Sequence, residues 1–265
     1  MFWLWIDRWA AVRVGIFLSV LFWFLCAFSL SVGAQEDGGG GLRIATPPLG
    51  YPTYSKENAR RNRMVVSYVR YDSDDFDLHG GSINVHSRLL EGEWGGFGLK
   101  YGAFLVSGTE SDAVQTEVSP GVWVSDPDTG LGVTGANVEP LFEWQAVHRR
   151  GVGGWGFRLI PFFGLDTGFQ RFDQDFRDSP YSSLILGASG GVQMHVNSPG
   201  GVFVSPFAQT EFMHVLSFDD GVEHFNGLML SYGFDIIWRQ YSLSGVVQPL
   251  MGGTGMYTVS LGFSF

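Results

Sequence analysis

The sequence predicts an all-β fold: a closed antiparallel transmembrane β-barrel of about ten strands in up-and-down order over residues 64–265. Three observations predict it. From Met64 onward apolar residues recur at alternate positions, as on a strand whose side chains point in turn to opposite faces. The alternating segments reach ten residues or more, beyond the five or six usual in soluble sheets and close to the nine to eleven a tilted spanning strand requires. Their apolar face is rich in aromatics, yet mean hydropathy is only +0.10 with 45% hydrophobic residues, because the opposite face is polar. A helical membrane protein would concentrate its apolar residues in blocks of about 20, and only the N-terminus has one.

That N-terminal block places Arg8 and Arg13 before an uncharged run from Val14 to Val32, followed by Gly33-Ala34. It reads as a secretory signal cleaved after Ala34; the rival reading, an uncleaved anchor, rests on a run slightly long for a signal. Cys26 follows Trp23-Phe24-Leu25, not the small residue a lipoprotein signal sets before its cysteine. Cleavage removes two of 16 basic and one of 26 acidic residues, leaving 14 against 25 and no thiol. Disulfides and thiolate metal sites are thereby excluded, and so acidic a chain lacks the basic footprint of nucleic-acid binding. Residues 35–63, with Pro47, Pro48, Pro52 and a polar run from Lys56 to Arg63, read as a flexible periplasmic leader. The alternative folds this segment into the barrel as a small plug.

The strands follow in order at about 64–72, 80–90, 96–107, 137–148, 155–170, 183–197, 202–215, 226–239, 241–249 and 255–265. The pattern is clearest in the fourth, where Val138, Pro140, Phe142 and Trp144 alternate with Glu139, Glu143 and Gln145. It is equally clear in the fifth, from Trp155 to Phe169 around Arg158 and Asp166, and in the eighth, from Leu228 to Trp238 around Asp235 and Arg239. In the last, Tyr257, Val259, Leu261, Phe263 and Phe265 oppose Thr258, Ser260, Gly262 and Ser264. The first and ninth alternate least well, and eight or twelve strands are the alternative counts. Connections alternate between short turns and longer acidic loops, the latter at 71–79, 108–136, 171–182 and 216–225, the asymmetry expected of membrane barrels. Within the longest loop, 113–124 is read as a hairpin extension turned at Asp126-Pro127-Asp128-Thr129-Gly130, rather than as an eleventh strand.

The signal, the alternating aromatic strands and the terminal Phe265 together resemble the small bacterial outer-membrane β-barrel superfamily. The resemblance covers roughly 64–265 by pattern only, with no subfamily motif. It implies the outer membrane of a Gram-negative bacterium, contact with outer-membrane lipid and lipopolysaccharide, and delivery by the barrel assembly machinery, for which Tyr257, Phe263 and Phe265 would form the C-terminal signal.

Facing away from the apolar wall, Asn84, His86, Arg88, Lys100, Glu139, Glu143, Gln145, Arg158, Asp166, Gln193, His195, Gln209, Glu211, Asp235 and Arg239 converge on one lumen. A ten-strand interior is nearly filled by side chains, so these charges must be paired or hydrated. The expected role is a structural ion-pair core, with a narrow solute path as the rival. Catalysis finds little support. His86 and Ser87 point to opposite faces of a strand, and His195 with Glu211 is a facing pair more often structural than chemical. The loop pairs Asp74-Asp75, Asp219-Asp220 and Glu223-His224 resemble the Asp-Asp and His-Asp pairs of omptin proteases, without their surroundings. Fifteen loop carboxylates, with Asp126 and Asp128 the local pair best suited to a cation, offer weak divalent-cation binding but no complete binding-loop spacing. The expectation is a structural or surface-interaction barrel without enzymatic activity or cofactor; a narrow channel and a membrane-embedded hydrolase are the alternatives.

Overall fold

The computed structural model describes residues 62–72, 76–92, 95–110, 115–119, 122–125, 130–144, 146–150, 155–174, 180–218, 225–249 and 255–265. The expected signal at 1–34, the leader up to residue 61 and the loop pairs Asp74-Asp75, Asp126 with Asp128, Asp219-Asp220 and Glu223-His224 lie outside these residues, as does Gln145. Every element among the described residues is a strand: β1 (Asn62–Asp72), β2 (Phe76–Glu91), β3 (Gly95–Glu110), β4 (Gln115–Ser119), β5 (Val122–Ser125), β6 (Gly130–Trp144), β7 (Val147–Arg150), β8 (Gly156–Gln174), β9 (Tyr181–Asn197), β10 (Val202–Ser217), β11 (Phe225–Trp238), β12 (Tyr241–Pro249) and β13 (Gly255–Ser264).

Ten of them close a ring. The sheet runs β6-β3-β2-β1-β13-β12-β11-β10-β9-β8, and β6 pairs with β8 to shut it, so no barrel edge is left open along its full length. All registers are antiparallel. Two circuits of registered pairs from Val69 show the stagger. Through Gly80, Val106, Val133 and Phe172 the path reaches β9 at Tyr181; through Thr258, Val246, Gly233 and Phe207 it reaches β9 at Gln193, twelve residues away. For ten strands that stagger corresponds to a tilt of about 40°.

Several boundaries differ from the sequence reading. β1 starts at Asn62, so Arg63 belongs to the barrel and not to the leader; its inward face, Arg63, Val65, Ser67, Val69 and Tyr71, is partly apolar, which is why the alternation there is poor. β4 and β5 form the expected hairpin, but their pairing places the reversal between Ser119 and Val122, and Gly130 already begins β6. The fourth expected strand corresponds to β6, which ends at Trp144, and β7, which begins at Val147 and continues the pairing along β8. Strands rise well into the acidic loops, so Asp72, Asp77 and Asp173 sit on strands. Arg239 is not a lumen residue. It occupies the two-residue turn between β11 and β12 with φ 56°, is exposed, and lies 4.7 Å over the Trp238 ring.

Outside, the proximal end of the wall, where β1 begins and β13 ends, carries exposed Trp144, Trp155, Trp238, Tyr241, Phe263 and Phe265. A second aromatic ring, Tyr68, Phe169, Phe212 and Tyr257, lies toward the distal end. On β11 the outward apolar residues run from Leu228 to Trp238, eleven residues, or roughly 25 Å at a tilt of about 40°, the band height typical of membrane barrels with aromatic girdles. Distal to this band the pattern turns over. Arg70, Asp72, Asp77, His79, Arg171 and Asp173 then face outward, while Tyr71, Leu78, Val106, Leu131, Val133, Phe172 and Tyr181 are buried inside.

Candidate functional site: the layered lumen

Register and tilt set the height of each inward residue, and the inward residues sort into layers. The proximal layer is built on Arg63 of β1. Its guanidinium donates to both carboxylate oxygens of Asp235 at 3.1 and 3.3 Å, and to Ser242 and Ser244; the Ser244 hydroxyl also donates to Asp235. Asp235 is fully buried and Arg63 nearly so, a bidentate arrangement that compensates the desolvation of both charges. Arg88 of β2 pairs with Glu143 of β6 at 3.5 Å in the same layer. His195 lies here too, opposite Arg158 in register.

Above this layer Leu141, Phe162, Phe207 and Val246 touch across the interior from β6, β8, β10 and β12. The next layer is polar again. Lys100 Nζ donates to Glu139 at 2.8 Å, the Ser189 hydroxyl donates to the other Glu139 oxygen at 2.6 Å, and Asn137 donates to Asp166 at 3.2 Å. Glu211, Asn84 and Gln209 complete it, all buried. Gly164 is the reason Glu139 can reach so far, since a Cβ there would collide with Glu139 Oε1 and Ser189 Oγ. The distal interior is mainly apolar: Ile185 packs on Met213, with Val215 and Met229 beside them, Phe172 stacks on Tyr181 at 4.5 Å, and Gln170 and Ser183 are the buried polar pair next to these rings.

The expected ion-pair core is therefore present only in the proximal and middle lumen, and Arg63, which supports the best-formed pair, was missed. The signal was available in Arg63-Val65-Ser67, read as the end of a polar run instead of the start of an alternating strand. The distal apolar fill was not expected. A cavity of about 10 Å³ lies among His86, Arg88, Gly98, Lys100, Leu141 and Glu143, room for about one water. His195 and Glu211 are not brought together, because His195 pairs with Arg158 in register and Glu211 with Ser189. His86 and Ser87 do occupy opposite faces.

One outer-face cluster was also missed. At the distal edge of the apolar band the Tyr68 hydroxyl hydrogen-bonds His79 Nδ1 at 2.8 Å, His79 Nε2 lies 3.2 Å from Asp77, and Arg70 donates to Asp77 through Nε and Nη2. The order hydroxyl, imidazole, carboxylate is that of a hydrolytic relay, but its members are exposed and directly brace β1 against β2. Sequence spacing hides it, since Tyr68 and His79 meet only through the β1–β2 register.

A closed antiparallel barrel with an even strand number, an apolar aromatic-edged exterior and a polar interior is a transmembrane β-barrel of the outer-membrane architecture. No protein-family model and no curated protein matches this chain. Among solved structures, it is similar to the transport unit of the autotransporter AIDA-I from Escherichia coli, at 13% identity over 81% of this chain and 93% of that one, TM-score 0.40. It is also similar to the beta domain of the Bordetella autotransporter BrkA, at 9% identity over 78% and 100%, TM-score 0.43. A third is Ail of Yersinia pestis, at 9% over 77% and 97%, TM-score 0.31. Scores this low leave the assignment of class to rest on the barrel's own strand order and coats.

Proposed function

We propose that the chain is an outer-membrane barrel with a closed lumen that works through its outward-projecting rim, without catalysis. In this reading the signal is cleaved, the termini face the periplasm, and the distal strands emerge outside the cell among lipopolysaccharide. Tyr257 and Phe263, on the outward face of β13, and the exposed Phe265 directly after it, would serve as the assembly signal. The observation that carries the closed lumen is the distal filling: Val69, Tyr71, Leu78, Val106, Val133 and Ile185 are each fully buried inside the ring, so the lumen ends in apolar side chains. The test is planar-bilayer conductance of the purified barrel. The expected result is no discrete opening; reproducible unitary steps would replace this reading with a narrow channel.

The Tyr68–His79–Asp77 chain favours a second reading, a hydrolase acting on outer-leaflet lipid. It would be supported by turnover of lipopolysaccharide or phospholipid that disappears in both Tyr68→Phe and His79→Ala. Lipid turnover unchanged by either substitution, or none in the intact protein, removes it.

A further inference from the structure

The buried polar atoms that lack a hydrogen-bond partner among the described residues differ across the apolar layer of Leu141, Phe162, Phe207 and Val246. Below it they include both ring nitrogens of His86 and of His195 and both ends of the Gln193 amide. Above it they are all oxygens: Gln209 Oε1, Gln248 Oε1, Thr258 Oγ1 and, further up, Ser183 Oγ. Gln209, Gln248 and Thr258 are only 3%, 1% and 2% exposed. Buried acceptors without a donor are costly, so the middle lumen calls for a group that offers positive charge to oxygen.

Formal charge points the same way. Among the described inward residues of the middle layer, Lys100 is the one cation, against the carboxyl groups of Glu139, Asp166 and Glu211. Lys100 is engaged by Glu139 at 2.8 Å, which leaves Asp166 and Glu211. These two meet over Gly187. It pairs with Asp166 in register, and a Cβ on it would lie 3.4 Å from Asp166 Cβ and 3.5 Å from Glu211 Oε1, so no side chain separates the acids. Asp166 accepts from Asn137, whereas Glu211 has no hydrogen-bond or ion-pair partner among the described residues. From the other wall, Gln248 Nε2 reaches Met229 Sδ at 2.6 Å. Met229 is the register partner of Glu211, so the Gln248 amide is carried toward the same space. Gln209 is the next inward residue below Glu211 on β10. The layer lies between the Leu141 cluster below and Ile185, Met213 and Met229 above, where two like charges need a counter-charge.

Carboxylate, amide and hydroxyl oxygens are the ligands of hard cations. No three acidic or imidazole side chains converge on one point among the described residues, which disfavours the strict octahedron of Mg²⁺; Ca²⁺ accepts irregular sets of oxygens. We propose that the middle lumen holds a Ca²⁺ ion between Asp166 and Glu211, with the side-chain oxygens of Gln209 and Gln248 as further ligands. The ion cancels the charge of the two acids and ties β8, β10 and β12 together across the interior.

The experiment refolds the full barrel into phosphatidylcholine nanodiscs with Ca²⁺, transfers it into chelator and measures calcium by elemental analysis. Chelator should strip calcium from the surface, while the layer, closed above and below, keeps about one ion per barrel. The double variant Asp166→Asn/Glu211→Gln preserves both shapes without their charge and should retain at least tenfold less. Infrared spectroscopy gives a second readout, since with Ca²⁺ bound both groups are carboxylates and the wild type should show no protonated-carboxyl band that Glu211→Gln abolishes. No retained calcium, equal retention in the double variant, or such a band in the wild type overturns the proposal, the last by showing that protons supply the missing charge. If the double variant fails to insert, the calcium content of the wild type decides.

Discussion

Within the apolar band and beyond it, the same strands carry opposite faces. On β1, Met64, Val66 and Tyr68 face outward while Arg63 and Ser67 are enclosed; a few residues on, Arg70 and Asp72 face outward while Val69 and Tyr71 are enclosed. β8 does the same, with Phe163, Leu165 and Phe169 outside Asp166 but Arg171 and Asp173 outside Phe172. The pleat never changes phase; only the chemistry of the two faces is exchanged. Each face matches the medium it meets: hydrocarbon rejects charge, and water lets the interior return to an ordinary apolar core. The turnover thus marks where the surrounding solvent changes, and Tyr68, Phe169, Phe212 and Tyr257 sit at that level.

Five variants would break or sharpen the contrast, measured by urea unfolding in lipid vesicles. The largest effect is expected inside the band, where Asp235→Ala removes the carboxylate that neutralises the buried Arg63 guanidinium and should cost about 3–5 kcal/mol. The double variant Arg63→Leu/Asp235→Leu should recover most of that loss. In the projecting region the equivalent damage is to packing: Phe172→Ala, removing the ring stacked on Tyr181, should cost about 3–4 kcal/mol. On the outer face, Phe234→Arg places a cation in mid-band and should cost about 2–4 kcal/mol. Thr134→Arg, equally outward and exposed but beyond the band, should stay within about 0.5 kcal/mol. Equal costs for the two arginines would dissolve the distinction between the regions.

Period and segment length were enough to read ten spanning strands and to place most lumen residues, because Glu139, Asp166 and Asp235 each follow an outward apolar residue, Val138, Leu165 and Phe234. What escaped the sequence lies where the two faces stop differing in polarity, or where contacts depend on register. β1 has apolar residues on both faces near Val65 and Val69, so its start and Arg63 were hidden. Arg239 kept the parity of a lumen residue, yet the two-residue turn begins there and removes it from the strand. The Arg63–Asp235 pair and the Tyr68–His79 contact arise only after three strands, or one hairpin, have been placed with their stagger. Past the band the polarity of the two faces is exchanged, so the strand ends in the distal loops were underestimated.

The level at which the faces exchange also ties this protein to a bilayer of particular thickness. With polar residues such as Arg70 and His79 just beyond the distal aromatics and the turn residues just beyond the proximal ones, the wall offers roughly 25 Å of hydrocarbon-compatible height. A rigid closed sheet cannot tilt or kink as a single helix can to absorb mismatch, so a thicker membrane must thin around it at a cost that grows with each ångström. The bacterial outer membrane is thinner than average, and in it the barrel would sit with the least distortion.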